Sequence, residues 1–520
     1  MWGKNRRQWR ALGYRGGGSL GAPTMVRSSS MQPLLGSNSS AWRHSRRPAV
    51  LPRDRGNQSF YAVVFFALLF AIILTFEVFF INEDDDYNIS PDFNEHELEL
   101  LEPHMVMREP QIEAERNVAN AEFVSGTNYV DKWQPVVGTR EKFYVYAAYY
   151  DGRRGRFIRV VSATRTRGSD RVLCKYWYTN GDPPVIVGAT NKVIRENWNL
   201  KYSAHFVLCP LFLYNVGRTV NVPDELSVLA RPGDEPGNRL KVRNLWAAAA
   251  AHAEPSDGFA VCVKPLHYQF NRALQLIEFI ELNRLLGVEH FTLYNHTIGK
   301  DAACVLRQYQ DEKVVSLLPW QLDMESQKEI RTEGLFAALN DCLYRNMYQY
   351  RYLLMIDLDE YIVPHRNDSL RQMVAHLMQR VDPKKVGSFS FMNSFFYLQW
   401  PNDSLSEGLT APLVSLTKTR RRAKFHPHKQ RSKCIVLPEY VIEMGNHFVW
   451  EFLPGHGTIN SPPDVGFLHH YRVCEFGGSD CIKTQWVTDR TMYKFKDEII
   501  DRVNQRLDSV KKSCAIVLSP

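Results

Sequence analysis

The stretch FAVCVKPLHYQFNRALQLIEFIELNRLLGVEHFTLYN, residues 259–295, decides the fold. FAVCVKPL is short, apolar and β-branched, so it reads as a strand. QFNRALQLIEFIELNRLL carries helical spacing and stops at Gly287, a natural C-cap residue. VEHFTLYN is again a strand. The same alternation continues downstream. DAACVLRQYQDE is a helix and KVVSLLPW a strand. SQKEIRTEGLFAALNDCLYRNMYQY reads as one long helix, RYLLMI as a strand and DSLRQMVAHLMQRV as a further helix. Strands alternating with helices imply βαβ units and a largely parallel sheet. Residues 258–520 are long enough to build one α/β domain of this Rossmann-like kind with its own core.

Upstream the texture differs. KFYVYAAYY, RFIRVVSATR, RVLCKYWY, PVIVGAT and YSAHFVLCPL are short, aromatic and β-branched, with turn residues between them. Residues 139–257 therefore read as a small β-rich domain. It closes on the Pro- and Gly-rich RPGDEPGN and a linker-like alanine run. Residues 82–138 are acidic and poorly periodic, which suits a spacer or stem.

Further out, FYAVVFFALLFAIILTFEVFFI, residues 60–81, holds a single ionisable residue, Glu77. About 20 apolar residues are needed to cross a bilayer as a helix. The run is apolar on every face, unlike a helix on a globular core. Residues 1–59 hold 11 Lys and Arg against one acid, Asp54, and carry +10. The whole chain carries +8, so the remainder carries −2. Glu83, Asp84, Asp85 and Asp86 follow the run directly. Basic flanks stay cytosolic, so the expected topology is a basic cytoplasmic tail (1–59), a membrane anchor (60–81) and everything else outside. Nucleic-acid binding is not expected: the basic excess sits in the tail, and aromatics are not interleaved with a basic stripe. The cysteines at 174, 209, 262, 304, 342, 434, 474, 481 and 514 all follow the run. That distribution suits an oxidising lumen, with Cys474 and Cys481 placed to pair locally and one cysteine left over. Sequons occur at Asn88, Asn295, Asn367 and Asn402 on the expected outer side, and at Asn38 and Asn57 within the tail.

The chemistry centres on YLLMIDLDEYIVP. An apolar strand runs to Ile356, then carboxylates appear at Asp357 and Asp359. Ligands of open α/β sheets bind beyond the carboxyl ends of strands. Two acids there make a poor core and a good seat for a hard divalent cation, Mn²⁺ or Mg²⁺, with phosphate oxygens completing the shell. The competing reading is a solvated acidic turn.

The ordered segments VKPLHYQFNRALQLIEFIELNRLLGVEHFTLYNHT, LNDCLYR, LLMIDLDEYIVP, KCIVLPEYVIEMGNH and LHHYR resemble glycosyltransferase family 92, over roughly Val263 to Arg472. That family includes animal β-1,4-galactosyltransferases. The resemblance implies a type-A glycosyltransferase fold, an inverting mechanism, UDP-galactose as donor, Mn²⁺, a glycoprotein glycan acceptor and residence in the Golgi membrane. Asp357 and Asp359 match the family's acidic motif. A late histidine is expected to complete the metal set: His470 is favoured, His447 is the second choice, and His469 is the weaker neighbour. For the donor, Tyr294 and Asn295 end the second strand, Asp341 either touches the sugar or pairs within the core, Lys264 faces phosphate or solvent, and Arg472 offsets diphosphate charge. Glu360, Glu439, Glu443 and Asp464 are all eligible as the general base that inversion requires. The basic run KTRRRAKFHPHK reads as a surface loop that closes over the donor.

Two rival readings remain at this level. A lumenal glycan-binding protein could keep the fold without turnover, against which stands the intact acidic pair. A phosphatase of the haloacid dehalogenase type also uses D-x-D after a strand. Its usual Thr or Val falls here on Tyr361, and its motif normally opens the domain.

Overall fold

In the computed structural model, which describes residues 131–213, 218–245, 256–474 and 480–514, the β-branched runs upstream of residue 245 become strands. They are β1 (Tyr144–Asp151), β2 (Phe157–Arg165), β3 (Leu173–Trp177), β4 (Val185–Gly188), β5 (Thr190–Val193), β6 (Tyr202–Pro210), β7 (Glu225–Leu229) and β8 (Leu240–Arg243). Their order in the sheet is β4-β3-β7-β8-β1-β2-β6-β5, with Gln134–Pro135 pairing onto β1. All neighbours are antiparallel except β8 and β1. Side chains alternate across a strand, so the sheet has two apolar faces. Val145, Ala148, Val160 and Val207 fill one. Tyr146, Tyr149, Val161 and Phe206 fill the other, and there they share a core with Trp320, Leu343 and Tyr344 of the downstream part. The β-rich region is thus fused to its neighbour through a common interior.

Downstream come β9 (Ser256–Cys262), α1 (Ala273–Leu285), β10 (Val288–Asn295), α2 (Lys300–Asp311), β11 (Val315–Pro319), α3 (Leu335–Asn346), β12 (Tyr350–Met355), β13 (Glu360–Pro364) and α4 (Leu370–Met378). They are followed by β14 (Val386–Phe391), β15 (Asn393–Tyr397), β16 (Arg420–Arg422), β17 (Lys433–Val436), β18 (Gly457–Asn460), β19 (Gly466–Arg472), β20 (Trp486–Thr488) and α5 (Lys496–Cys514). The main sheet runs β11-β10-β9-β12-β17-β14-β18. The first four strands are parallel, and β17 is antiparallel to both its neighbours. From β9 the chain moves outward to β10 and β11, then returns to the other side of β9 with β12. The carboxyl ends of β9 and β12 therefore flank a topological switch point, where ligands of such sheets bind. A small second sheet, β13-β19-β15, stands at that edge, and β16 pairs with β20 as a separate ribbon.

Helix α1 shows why its residues suit a helix and not a surface. Leu276, Ile277, Phe279, Ile280 and Leu282 are all fully buried. Its two buried acids are satisfied: Glu278 accepts from the backbone N–H groups of Val414 and Ser415 at 2.9 and 2.8 Å. Glu281 accepts from the Tyr309 hydroxyl at 2.8 Å. Gly287, at φ +109°, turns the chain into β10.

One sequence expectation is corrected here. Residues 326–350 do not form one helix. Gln327, Thr332, Glu333 and Gly334 all have positive φ, and α3 begins only at Leu335. The SQKEIRTEG segment has no apolar face to bury, and its Glu333 carbonyl is committed to the Trp320 indole at 2.7 Å. The strand β13, directly after the acidic pair, was also not anticipated.

Disulfides join Cys174 to Cys209, Cys262 to Cys342, Cys304 to Cys514 and Cys474 to Cys481. The odd cysteine is Cys434, buried in β17. The expected anchor at 60–81, the basic tail, most of the spacer, the alanine run at 247–251 and the sequons at Asn38, Asn57 and Asn88 lie outside the described residues. Among the described residues no helix is long and apolar enough to cross a membrane.

Candidate active site

The apolar strand β12 ends at Met355, and the chain then turns so that the Glu360 N–H donates to the Asp357 carbonyl at 3.0 Å. In return the Asp357 N–H donates to Glu360 Oε2 at 2.9 Å. This turn feeds β13, whose antiparallel partner is β19, with Glu360 directly opposite His470. Register alone thereby delivers His470 to the acidic turn. Its Nε2 lies 3.2 Å from Asp359 Oδ2, and its Nδ1 lies 3.2 Å from Glu360 Oε1. The amide of Asn393, from β15, reaches the same Nδ1 at 3.0 Å.

Asp357 and Asp359 are held differently. Lys264, just beyond β9, donates to Asp357 Oδ2 at 2.8 Å across the switch point. Lys433, at the start of β17, lies 3.4 Å from the same oxygen and 3.5 Å from Glu360 Oε2. Burial by itself would raise the Asp357 carboxyl, but Lys264 and then Lys433 outweigh it and hold it below the ordinary range. Burial likewise opposes the charge on Lys433, and Asp357 and Glu360 overcome it, so its ammonium is held above its usual value. Burial dominates at Glu360 and pushes it up. For Asp359 burial is outweighed by His470, and the carboxyl falls.

Three carboxylates against two ammonium groups leave one net negative charge when all are ionised. It resides at Asp359, whose side chain keeps 35 % exposure while that of Asp357 keeps 12 %. Glu360 Oε1, an acceptor, and Asn393 Nδ2, a donor, both meet His470 Nδ1 and fix the orientation of the ring. His470 Nε2 and Asp359 Oδ2 face each other at 3.2 Å, a pair that a proton or a cation can join. Carboxylate oxygen with imidazole nitrogen is a donor set that Mn²⁺ accepts. Asp359 and His470 are thus the residues that fit a divalent ion directly, with Asp357 and Glu360 holding them in place. Carboxylate-to-imidazole support of this kind orients metal ligands.

Residues 257–511 match the model of glycosyltransferase family 92. The domain they form belongs to that family. The chain is similar to a beta-1,4-galactosyltransferase of Caenorhabditis elegans, galt-1, at 25% identity over 217 residues, covering 41% of this chain and 48% of that protein. A second family 92 protein of the same worm is 22% identical over 190 residues, covering 35% of this chain and 36% of its own. The chain thus matches about half the length of one relative and about a third of the other. A solved glucosyl-3-phosphoglycerate synthase from Mycobacterium tuberculosis, in complex with Mn²⁺ and UDP-glucose, aligns over 56% of this chain and 86% of its own, at 14% identity and a TM-score of 0.23.

Within the family 92 domain, several expected site residues lie elsewhere. Tyr294 is fully buried, and its hydroxyl donates to Asp341 Oδ2 at 2.7 Å. Asp341 also accepts from Tyr149 at 2.6 Å and from Arg345 Nε at 2.9 Å. Its lone pairs are spent in the core, so neither Tyr294 nor Asp341 is presented to a donor. Asn295 is half-buried at the end of β10, where its carbonyl accepts from Trp320 N–H and the Gln321 amide. It does not join the acidic cluster. His447 is bound to the Ser432 carbonyl and the Asn446 amide, each at 3.1 Å, and to no carboxylate. Burial, with Lys433 next, pushes it down to about 4. Among the eligible bases, Glu443 is fully buried and accepts from the Arg195 N–H at 2.8 Å. Asp464 is paired with Arg366.

The basic run is ordered beside the site. Its Arg420–Arg422 segment is β16, and Ser394 donates to the Arg422 carbonyl at 2.9 Å. Phe395, the cross-strand neighbour of His470, is approached by Arg431 at 5.6 Å and Arg472 at 5.5 Å. Its ring also meets that of His426 at 4.9 Å. Arg472, the last residue of β19, is half-buried beside Phe395. Lys433, Asn393 and Phe395 are the members that sequence reasoning missed. A lysine opening the apolar run KCIVL was the one available signal.

Proposed function

We infer that this chain is an inverting, metal-dependent galactosyltransferase. It moves galactose from UDP-galactose to a terminal sugar, a β-galactoside, of glycoprotein glycans, forming a β-1,4 linkage. Its domain acts in the Golgi lumen, tethered by the 60–81 anchor in type II orientation. The observation that carries the reading is the facing pair Asp359–His470 at the switch point of a family 92 domain. The galactose donor and the linkage follow the printed activity of the worm relative. The disulfides support an oxidising compartment.

Asp359 and His470 would hold Mn²⁺, which when bound neutralises charge on the departing diphosphate. The protein's own work lies around that pair. Glu360 and Asn393 hold the His470 ring so that Nε2 faces Asp359. Lys264 and Lys433 keep Asp357 ionised despite its burial. Arg431 and Arg472 supply positive charge beside Phe395, where phosphate oxygens are attracted.

The test is a donor screen of the full chain, purified in detergent, against UDP-sugars with Mn²⁺ and β-galactoside acceptors, with linkage analysis of the product. Turnover of UDP-galactose to a β-1,4 product is expected. Transfer of another sugar would overturn the donor, and glycan binding with no turnover of any donor would favour the rival binding-protein reading.

A further inference from the structure

His365 follows β13 directly, and His469 lies in β19. Their Nε2 atoms face each other at 3.2 Å. Asp489, just beyond β20, adds a carboxylate, and the three ligand atoms lie within 4.8 Å of one another. Among the described residues this is the one place where three such groups converge so closely. Side chains alternate along β19, so His469 points away from the face on which His470 meets Asp359. The cluster is therefore separate from the site above.

Its hydrogen bonds prepare it for a cation. Thr491 Oγ1 donates to Asp489 Oδ1 at 2.7 Å, which commits its only proton. The same oxygen, 3.2 Å from His365 Nδ1, must then accept, so His365 carries its lone pair on Nε2. His469 Nδ1 lies 3.3 Å from the Tyr471 hydroxyl. If that nitrogen donates to the phenol oxygen, a second lone pair faces the first. In tetrahedral zinc sites with Zn–N of about 2.0–2.1 Å, neighbouring nitrogens sit about 3.3–3.4 Å apart. The observed separation is close to that edge. Both imidazoles have their outer nitrogens engaged, as metal-bound histidines do.

Arg421 Nε donates to Asp489 Oδ2 at 2.9 Å and offsets part of the carboxylate charge. A site of two imidazoles and one shared carboxylate suits a borderline ion better than Mg²⁺ or Ca²⁺. We propose that His365, His469 and Asp489 bind Zn²⁺ as a structural clip. It ties the β16–β20 ribbon, whose Arg422 carbonyl accepts from Ser394, to the small sheet that carries His470.

The full chain, purified in detergent and stripped with a chelator, is titrated with Zn²⁺ against a chromophoric competitor, and separately with Co²⁺. One tight equivalent is expected, retained in Asp359→Asn and weakened by roughly 100-fold in His365→Gln and Asp489→Asn. Co²⁺ is expected to show the intense visible bands of a four-coordinate ion. Equal Zn²⁺ binding by His365→Gln and the unmutated chain would overturn the proposal. So would Co²⁺ bands of six-coordinate intensity only, measured on the unmutated chain. That second reading stands even if a variant fails to fold, which circular dichroism in chelator reports.

Discussion

Asp359 carries the exposed charge of the site, and its removal isolates the role of that charge. Asp359→Asn keeps the shape and leaves the buried Asp357–Lys264 pair intact. It should lower kcat/KM by at least about 10²-fold, because stabilising the departing diphosphate is worth several kcal/mol. The thermal midpoint should move little, and full activity in the variant would refute the assignment. Lys264 tests the other half of the pair. Burial opposes ionisation of Asp357, and Lys264 reverses that, so the folded carboxyl titrates below its unfolded value of about 3.9. Such a group stabilises the fold above the unfolded value, and the gain is lost as pH falls through the folded one. Without the ammonium, the carboxyl rises. Lys264→Met should therefore be less stable near neutral pH and lose less of its stability on acidification than the unmutated chain, read from thermal midpoints across the acid range. Parallel curves would dismiss the coupling. The acidic pair was legible in the sequence because charge directly after an apolar strand is anomalous. Lys433 was not, since its partners lie on a strand over 70 residues away and only the antiparallel pairing of β17 with β12 brings them together.

At the scale of elements, β10 and α3 show where local reading stops. Both were visible as apolar runs, and so were β9, α1, α2 and β12, because period alone separates strand from helix there. Period does not say which end residue faces a ligand. Tyr294 closes β10 at the right edge of the sheet, yet it turns inward because the β-rich region supplies Tyr149 to complete the Asp341 network. That partner is remote in sequence, so the inward choice is tertiary. Tyr294→Phe should cost about 1–3 kcal/mol by leaving a buried acceptor short of a donor. The KM for the nucleotide-sugar donor should stay unchanged. A raised KM at unchanged stability would return Tyr294 to the donor site. Helix α3 is shorter than its sequence suggests for a related reason: the turn before it is fixed by long-range contacts to Trp320 and His296.

Over the whole molecule, covalent links and topology bear on the same question. Cys304–Cys514 ties α2 to the end of α5 across a separation of 210 residues. Cys514→Ser should cost about 2–5 kcal/mol while activity per folded molecule persists, because neither cysteine touches the site. Links of this kind persist in oxidising compartments. The sequons provide an independent reading of the orientation expected from the basic tail. Asn402 is exposed in a loop, and its side chain is open to a glycosylating enzyme. Asn295 and Asn367 are half-buried, each with a buried Oδ1, and are poorer acceptors. If residues 82–520 face the lumen, Asn402 should carry a glycan, while Asn38 and Asn57 in the tail stay bare. Mass spectrometry of peptides before and after enzymatic deglycosylation distinguishes the cases. A glycan at Asn38 or Asn57 with Asn402 unmodified would place the family 92 domain on the cytosolic side, remove it from glycoprotein acceptors in the lumen, and leave the disulfides without an oxidising environment to sustain them.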